Sequence, residues 1–201
     1  MAQIAAERVE SAPAAPALAN PGPLGLCAFS VTTFVLSSIN AGWFPAGITT
    51  ILVGLALFYG GLAQLLAGMW EFKTGNTFGA TVFTSYGAFW LSLGVIFVPG
   101  SGILAGIPPS DIPTALGLFL LAWTIFTGVM FFASLRTTIA LAVVLGLLFL
   151  TFLCLTIGEL GGGSMFHTFG GYFGLATAAV GFYIALASMK TPFNLPVGPR
   201  G

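Results

Sequence analysis

The sequence predicts an all-α membrane protein with six transmembrane helices and both termini cytoplasmic, and three observations carry that reading. Only 5% of the 201 residues are charged while 57% are hydrophobic, too few charges to cover a water-facing surface. Six apolar segments have the length needed to cross a bilayer, about 20 residues of helix. When the chain is threaded through six spans, every basic residue falls on one side.

The spans are expected at 24–41, 48–70, 78–98, 113–133, 137–158 and 168–188. Glycine and proline punctuate them at Gly42-Trp43-Phe44-Pro45, along the loop from Pro99 to Pro113, and at Gly161-Gly162-Gly163, as residues that leave regular structure do. An even number of crossings returns the chain to its starting side. That side then holds Arg8, Lys73, Arg136, Lys190 and Arg200, whereas the other holds Asp111, Glu159 and His167. Basic residues gather on the cytoplasmic face, so the termini are expected there, in a multi-pass protein of the cell membrane.

The organisation expected is a disordered cytoplasmic tail over 1–19, a six-helix transmembrane domain over 20–189 and a short cytoplasmic tail over 190–201. Glu7 and Glu10 interrupt the positive stretch that a secretory signal requires. A formal net charge of zero gives no means of neutralising nucleic acid. Cys27 and Cys154 lie in apolar runs and are expected to pack as small hydrophobes, with no metal site and no cofactor.

Within the expected spans there is no Asp, Glu, Lys or Arg. A proton relay normally requires buried titratable groups, so a solute path here would be lined by hydroxyls, amides, aromatics and backbone. Ser30, Thr33, Ser37 and Asn40 recur on one face of the first span. Gln64 stands in a stripe of small residues, Ala56, Gly60 and Gly68, of the kind that lets helices approach closely. Thr77, Thr81 and Thr84 share a face of the third span, with Tyr86 nearly opposite. Asn40, Gln64, Thr33, Ser37 and Thr84 are the candidate solute contacts. Each hydroxyl has the alternative of bonding back to the preceding turn, Asn76 that of capping the third helix, and His167 that of an interfacial side chain.

Asn20-Pro21-Gly22-Pro23-Leu24-Gly25-Leu26 closely resembles the N-P-A-P-L-G-L signature of the acetate uptake transporters, or succinate–acetate permeases. Phe58-Tyr59-Gly60-Gly61-Leu62-Ala63-Gln64, Gly75-Asn76-Thr77-Phe78-Gly79 and the run from Phe83 to Trp90 are similar to further motifs of that family, in the same order. One departure is Gly22, where the family has alanine. The resemblance implies a homohexamer in which each protomer carries its own path for acetate and related carboxylates such as succinate. It also implies a constriction at Phe29, Tyr86 and Leu148. The signature residues Asn20, Pro21, Pro23, Leu24 and Gly25 would shape the cytoplasmic mouth. Tyr86 and the threonine face cannot both line one narrow path on a regular helix; Tyr86 is the better wall, because a phenol joins an apolar ring to one polar group.

The expected function is channel-like passage of acetate, or of acetic acid carrying its own proton. The alternative is a channel for a neutral solute such as urea or an amide. Asn20-Pro21 is similar to the aquaporin Asn-Pro-Ala turn, but aquaporins need two such motifs and one is present. No enzyme is expected: Ser164 and His167 fall together in one loop, whereas intramembrane proteolysis needs its serine and base brought together within the membrane.

Overall fold

The computed structural model describes residues 18–189, 192–193 and 195–199. Six helices among them are long and apolar enough to cross a membrane: Gly22–Asn40, Ile51–Thr74, Thr77–Phe97, Pro109–Ser134, Ile139–Gly162 and Ser164–Ser188. These are the first to sixth spans below. They alternate in direction, so the described chain ends share one side, called the near side here. The 41–50 and 98–108 loops lie on the far side.

Four boundaries lie four residues beyond those expected, and each of these differences places polar residues on helix. The second span continues to Thr74, so Glu71 is helical and buried. The fourth begins at Pro109, the fifth reaches Gly162 and the sixth begins at Ser164. Glu159 and His167 are therefore helical rather than loop residues. Charge ends an apolar run in a sequence, but it does not end a helix whose polar groups find partners. The expected tail over 1–19 lies outside the described residues except for Leu18 and Ala19. Of the expected 190–201 tail, residues 195–199 fold back onto the bundle: the Tyr183 hydroxyl donates to the Pro196 carbonyl at 2.6 Å and the Ala140 amide to the Val197 carbonyl at 3.1 Å.

The first span is the centre of the packing, held between the sixth on one flank and the second on the other. Small residues make these approaches possible. A methyl group on Gly174 would run into the Ser37 hydroxyl and one on Gly181 into Ser30, and between the second and third spans one on Gly68 would run into Thr84. In lipid, close backbone contact of this kind replaces a hydrophobic drive between helices. The fourth span leans mainly on the fifth and leaves Leu118, Ile125, Val129 and Phe132 exposed, an apolar strip suited to lipid.

Two spans depart from α winding. Residues Leu55–Ala63 of the second span form a π-helix, with Gly60 set so close to Thr32 that a methyl would come within 2.6 Å of its hydroxyl. The fifth span ends in a π turn over Gly158–Gly162, where Gly161 takes a φ of +110° that side chains rarely adopt. Inserted π turns often mark places where a helix is shaped for a site, and both lie in helices that line the cavities.

Candidate functional site: two cavities that meet at three side chains

A cavity of about 110 Å³ opens in the far half of the bundle and one of about 280 Å³ in the near half. Phe29, Tyr86 and Leu148 are the residues that line both. All are buried, at 5%, 2% and 3% exposure. They come from the first, third and fifth spans, so the wall between the cavities is built by three separate helices. The Phe29 and Tyr86 rings lie with centroids 6.0 Å apart, and Tyr86 packs edge-on against Phe126 at 5.5 Å. The Tyr86 hydroxyl is bonded to the Thr127 hydroxyl at 2.9 Å. Its polar end is thus held by the fourth span, and the wall presents ring and methyl surface.

In the far cavity the first span contributes Thr33, Ser37 and Asn40, the face that helical spacing groups together. Opposite it the third span places Phe89, Trp90 and Leu93, which follow Tyr86 at helical intervals on one face. The Thr33 hydroxyl and the Trp90 indole N–H are buried without a protein partner. Glu159 and His167 sit at the open end, with His167 Nε2 3.9 Å from Glu159 Oε1. Gly158 makes room for the imidazole, since a methyl there would come within 2.8 Å of its Nε2.

The near cavity is polar at its mouth and apolar towards the wall. Asn20 lines it and its side-chain oxygen accepts from the Gly22 amide at 2.9 Å, fixing the start of the first span. Pro21 and Pro23 belong to that start, where a missing N–H costs nothing. Leu24 is exposed. Gly25 lets the first span close on the Phe83 ring, which a methyl would meet at 2.8 Å; Phe83 in turn lines the cavity. Of the signature, then, Asn20, Gly22 and Leu26 reach the cavity, while Pro21, Pro23, Leu24 and Gly25 set the helix that carries them.

Gln64 and Glu71 line the same cavity from the second span, two helical turns apart. Gln64 is 1% exposed and its carbonyl oxygen has no protein partner. Glu71 is 3% exposed. Its Oε2 accepts from Asn76 Nδ2 at 2.9 Å and from the Thr74 hydroxyl at 3.0 Å. Asn76 also accepts from the Gly79 amide at 3.0 Å, so it caps the third span, as the capping alternative expected. Val197 of the folded-back segment completes the mouth.

Thr33, Ser37 and Asn40 therefore share one cavity, Gln64 stands in the other, and Phe29, Tyr86 and Leu148 lie between. Thr84 belongs to neither cavity. With Tyr86 turned to the cavities, the opposite face of the third span meets the second, and the Thr84 hydroxyl is buried against Gly68. Thr81 bonds back to the Thr77 carbonyl at 2.9 Å. Trp90, Glu71, Glu159 and His167 were absent from the candidate contacts. Trp90 was recoverable, because it falls one turn beyond Tyr86 and shares its face; the other three were hidden by spans drawn too short, two at their ends and the sixth at its start.

Residues 5–200 match the GPR1/FUN34/yaaH family. The succinate-acetate/proton symporter SatP of Escherichia coli (strain K12) is 41% identical over 188 residues, spanning 92% of this chain and 96% of that protein. Acetate permease A of Emericella nidulans is 43% identical over 188 residues, spanning 88% of this chain and 63% of the permease. Among solved structures, the bacterial acetate channel SatP matches with a TM-score of 0.77 at 40% identity, over 85% of this chain and 92% of that one. A match over nearly the whole sequence, with the same helical architecture, shows that the chain belongs to the GPR1/FUN34/yaaH family.

Proposed function

We propose that this multi-pass membrane protein passes acetate and related small carboxylates, succinate among them, along a path within each protomer. The observation that carries the proposal is the arrangement of two cavities on either side of one uncharged wall, Phe29, Tyr86 and Leu148. The names of the symporter, the permease and the channel supply the solute class. A carboxylate stripped of water needs replacement donors, because an unpaired charge in an apolar medium is very costly. Ser37, Asn40, Thr33 and Trp90 supply them in the far cavity, and Asn20 and Gln64 in the near one. The wall passes the methyl end and, when empty, holds back water as an apolar constriction does. The near side is cytoplasmic on the charge distribution, with Lys73 and Arg136 both exposed on it. The protomers assemble as a homohexamer, each copy keeping its own path.

The test is uptake of labelled acetate into liposomes carrying the purified protein, against protein-free liposomes, with unlabelled acetate, succinate or urea as competitors. Carboxylates compete and urea does not. Urea permeability without acetate flux would replace this function with a neutral-solute channel.

A further inference from the structure

The near cavity poses an electrostatic problem for a carboxylate path. Among the described residues, the one charged side chain lining it is an acid, Glu71. The first span brings Asn20 and Gly22 to this site, the third Asn76 and Gly79, and the fifth and sixth Thr138 and Ser188; none of these carries a charge. On Glu71's own helix Lys73 is exposed, and Thr74 offers a hydroxyl. Tyr86, the other ionisable side chain lining the cavity, is engaged with Thr127. An anionic solute entering this space would face a second, fixed carboxylate with no described cation to offset it. Two carboxylates at close quarters in a medium of low dielectric cannot both stay ionised, and a single proton held between them removes the conflict.

The geometry of Glu71 suits that arrangement. Its Oε2 is occupied by two donors, Asn76 Nδ2 at 2.9 Å and the Thr74 hydroxyl at 3.0 Å, which orient the group. Its Oε1 points towards the start of the first span, 3.6 Å from where a methyl on Gly22 would stand. One oxygen is therefore anchored and the other is left to the cavity.

We propose that Glu71 and the transported carboxylate share one proton in the near cavity, so that the pair carries one negative charge there rather than two. Glu71 then selects the protonated form of the solute. The balance is simple. A carboxylic acid arriving from the wall donates its O–H to the Glu71 carboxylate, or an anion arriving from the mouth accepts one from the Glu71 carboxyl, and both give the same complex. On release the proton leaves with the solute or returns to the mouth water. This inference rests on the proposed carboxylate function and names the group that ties a proton to it.

The experiment measures half-saturation of labelled acetate flux in proteoliposomes at matched internal and external pH, between about pH 6 and pH 8, after subtraction of flux into protein-free vesicles. If one proton is taken up per acetate bound, half-saturation in the wild type rises about tenfold for each pH unit. In Glu71→Gln, which keeps the size and an acceptor for Asn76, that slope flattens. In Glu71→Asp, which keeps the acid, it persists. A wild type that carries acetate without the slope overturns the inference, as does a Glu71→Gln variant that keeps it. Loss of all flux in both variants, with protein still folded, also overturns it and leaves Glu71 as an anchor for Asn76. Absence of acetate flux in the wild type is a different outcome, which removes the proposed function itself.

Discussion

The Tyr86 hydroxyl lies 2.9 Å from the Thr127 hydroxyl, a buried bond that ties the wall between the cavities to the fourth span. The same two spans also meet through their rings, Tyr86 with Trp123 and Phe126, and Phe89 with Phe119 and Trp123. Tyr86→Phe keeps the ring and removes the bond. It should lower stability by about 1 kcal/mol, the net worth of an ordinary hydrogen bond, while acetate flux stays near that of the wild type. Thr127→Val should give the same loss, and the double variant little more, since both single changes break one bond. Thermal unfolding in detergent of the four proteins checks this; additive losses would mean that the two hydroxyls act separately.

Leu148 gives the wall its aliphatic member and touches both cavities. Leu148→Ala removes side-chain bulk where the surroundings are already open on two sides, so it should cost towards the low end of the usual range, about 2 kcal/mol. Its larger effect should be on selection. Labelled lactate, with one more hydroxyl-bearing carbon than acetate, should gain flux relative to acetate. A lactate-to-acetate ratio equal to that of the wild type would remove Leu148 from the constriction.

The six spans could be read from the sequence because apolar length is a strong, local signal, and the resemblance to the family named Phe29, Tyr86 and Leu148, which lie between the two cavities. The polar face of the first span was legible through spacing alone, and Thr33, Ser37 and Asn40 do share a cavity. What escaped depended on helix ends. A glutamate after Trp70 looks like the edge of a span, yet Glu71 continues the helix because Thr74 and Asn76 satisfy it from the following turn. Glu159 and His167 were obscured in the same way by the glycines around them, which form a π turn and a tight reversal before the next helix. Thr84 shows the converse error: a polar face on a helix need not face a cavity, because a small residue on a neighbour, here Gly68, can absorb it.

Gly22 replaces the alanine of the family signature, and the structure tolerates either. A methyl there would meet the Asn20 side-chain oxygen at 3.0 Å and Glu71 Oε1 at 3.6 Å, and a side chain can yield by a few tenths of an ångström. Gly22→Ala should therefore retain acetate flux. It should also raise stability, by up to about 1 kcal/mol from reduced freedom of the unfolded chain. A marked loss of flux with stability unchanged would show that Asn20 must stay where it is for the solute to enter.

Gly174 contrasts with Gly22, because its neighbour across the interface cannot easily yield. The first and sixth spans meet there, and a methyl would collide with the Ser37 hydroxyl, itself part of the far cavity. Gly174→Ala should push the spans apart and cost about 1 to 3 kcal/mol, as overpacking does in a close-packed interior. Ser37→Ala in the same chain should restore much of the loss by vacating the space. Unfolding midpoints for the single and double variants test this; no recovery in the double variant would place the strain on backbone rather than on Ser37.

Tyr183 holds residues 195–199 across the near mouth through its bond to the Pro196 carbonyl, 2.6 Å long. The neighbouring bond from Ala140 to Val197 is backbone to backbone and survives side-chain changes, so Tyr183→Phe weakens the segment without freeing it altogether. Loss of about 1 kcal/mol locally shifts the docked-to-open ratio by about fivefold. Limited proteolysis of the segment should speed up by that factor, because cleavage follows the open population when docking is fast. The bundle itself should unfold at the wild-type temperature, since no span loses a contact. Unchanged proteolysis would mean that the Ala140–Val197 bond alone fixes the segment.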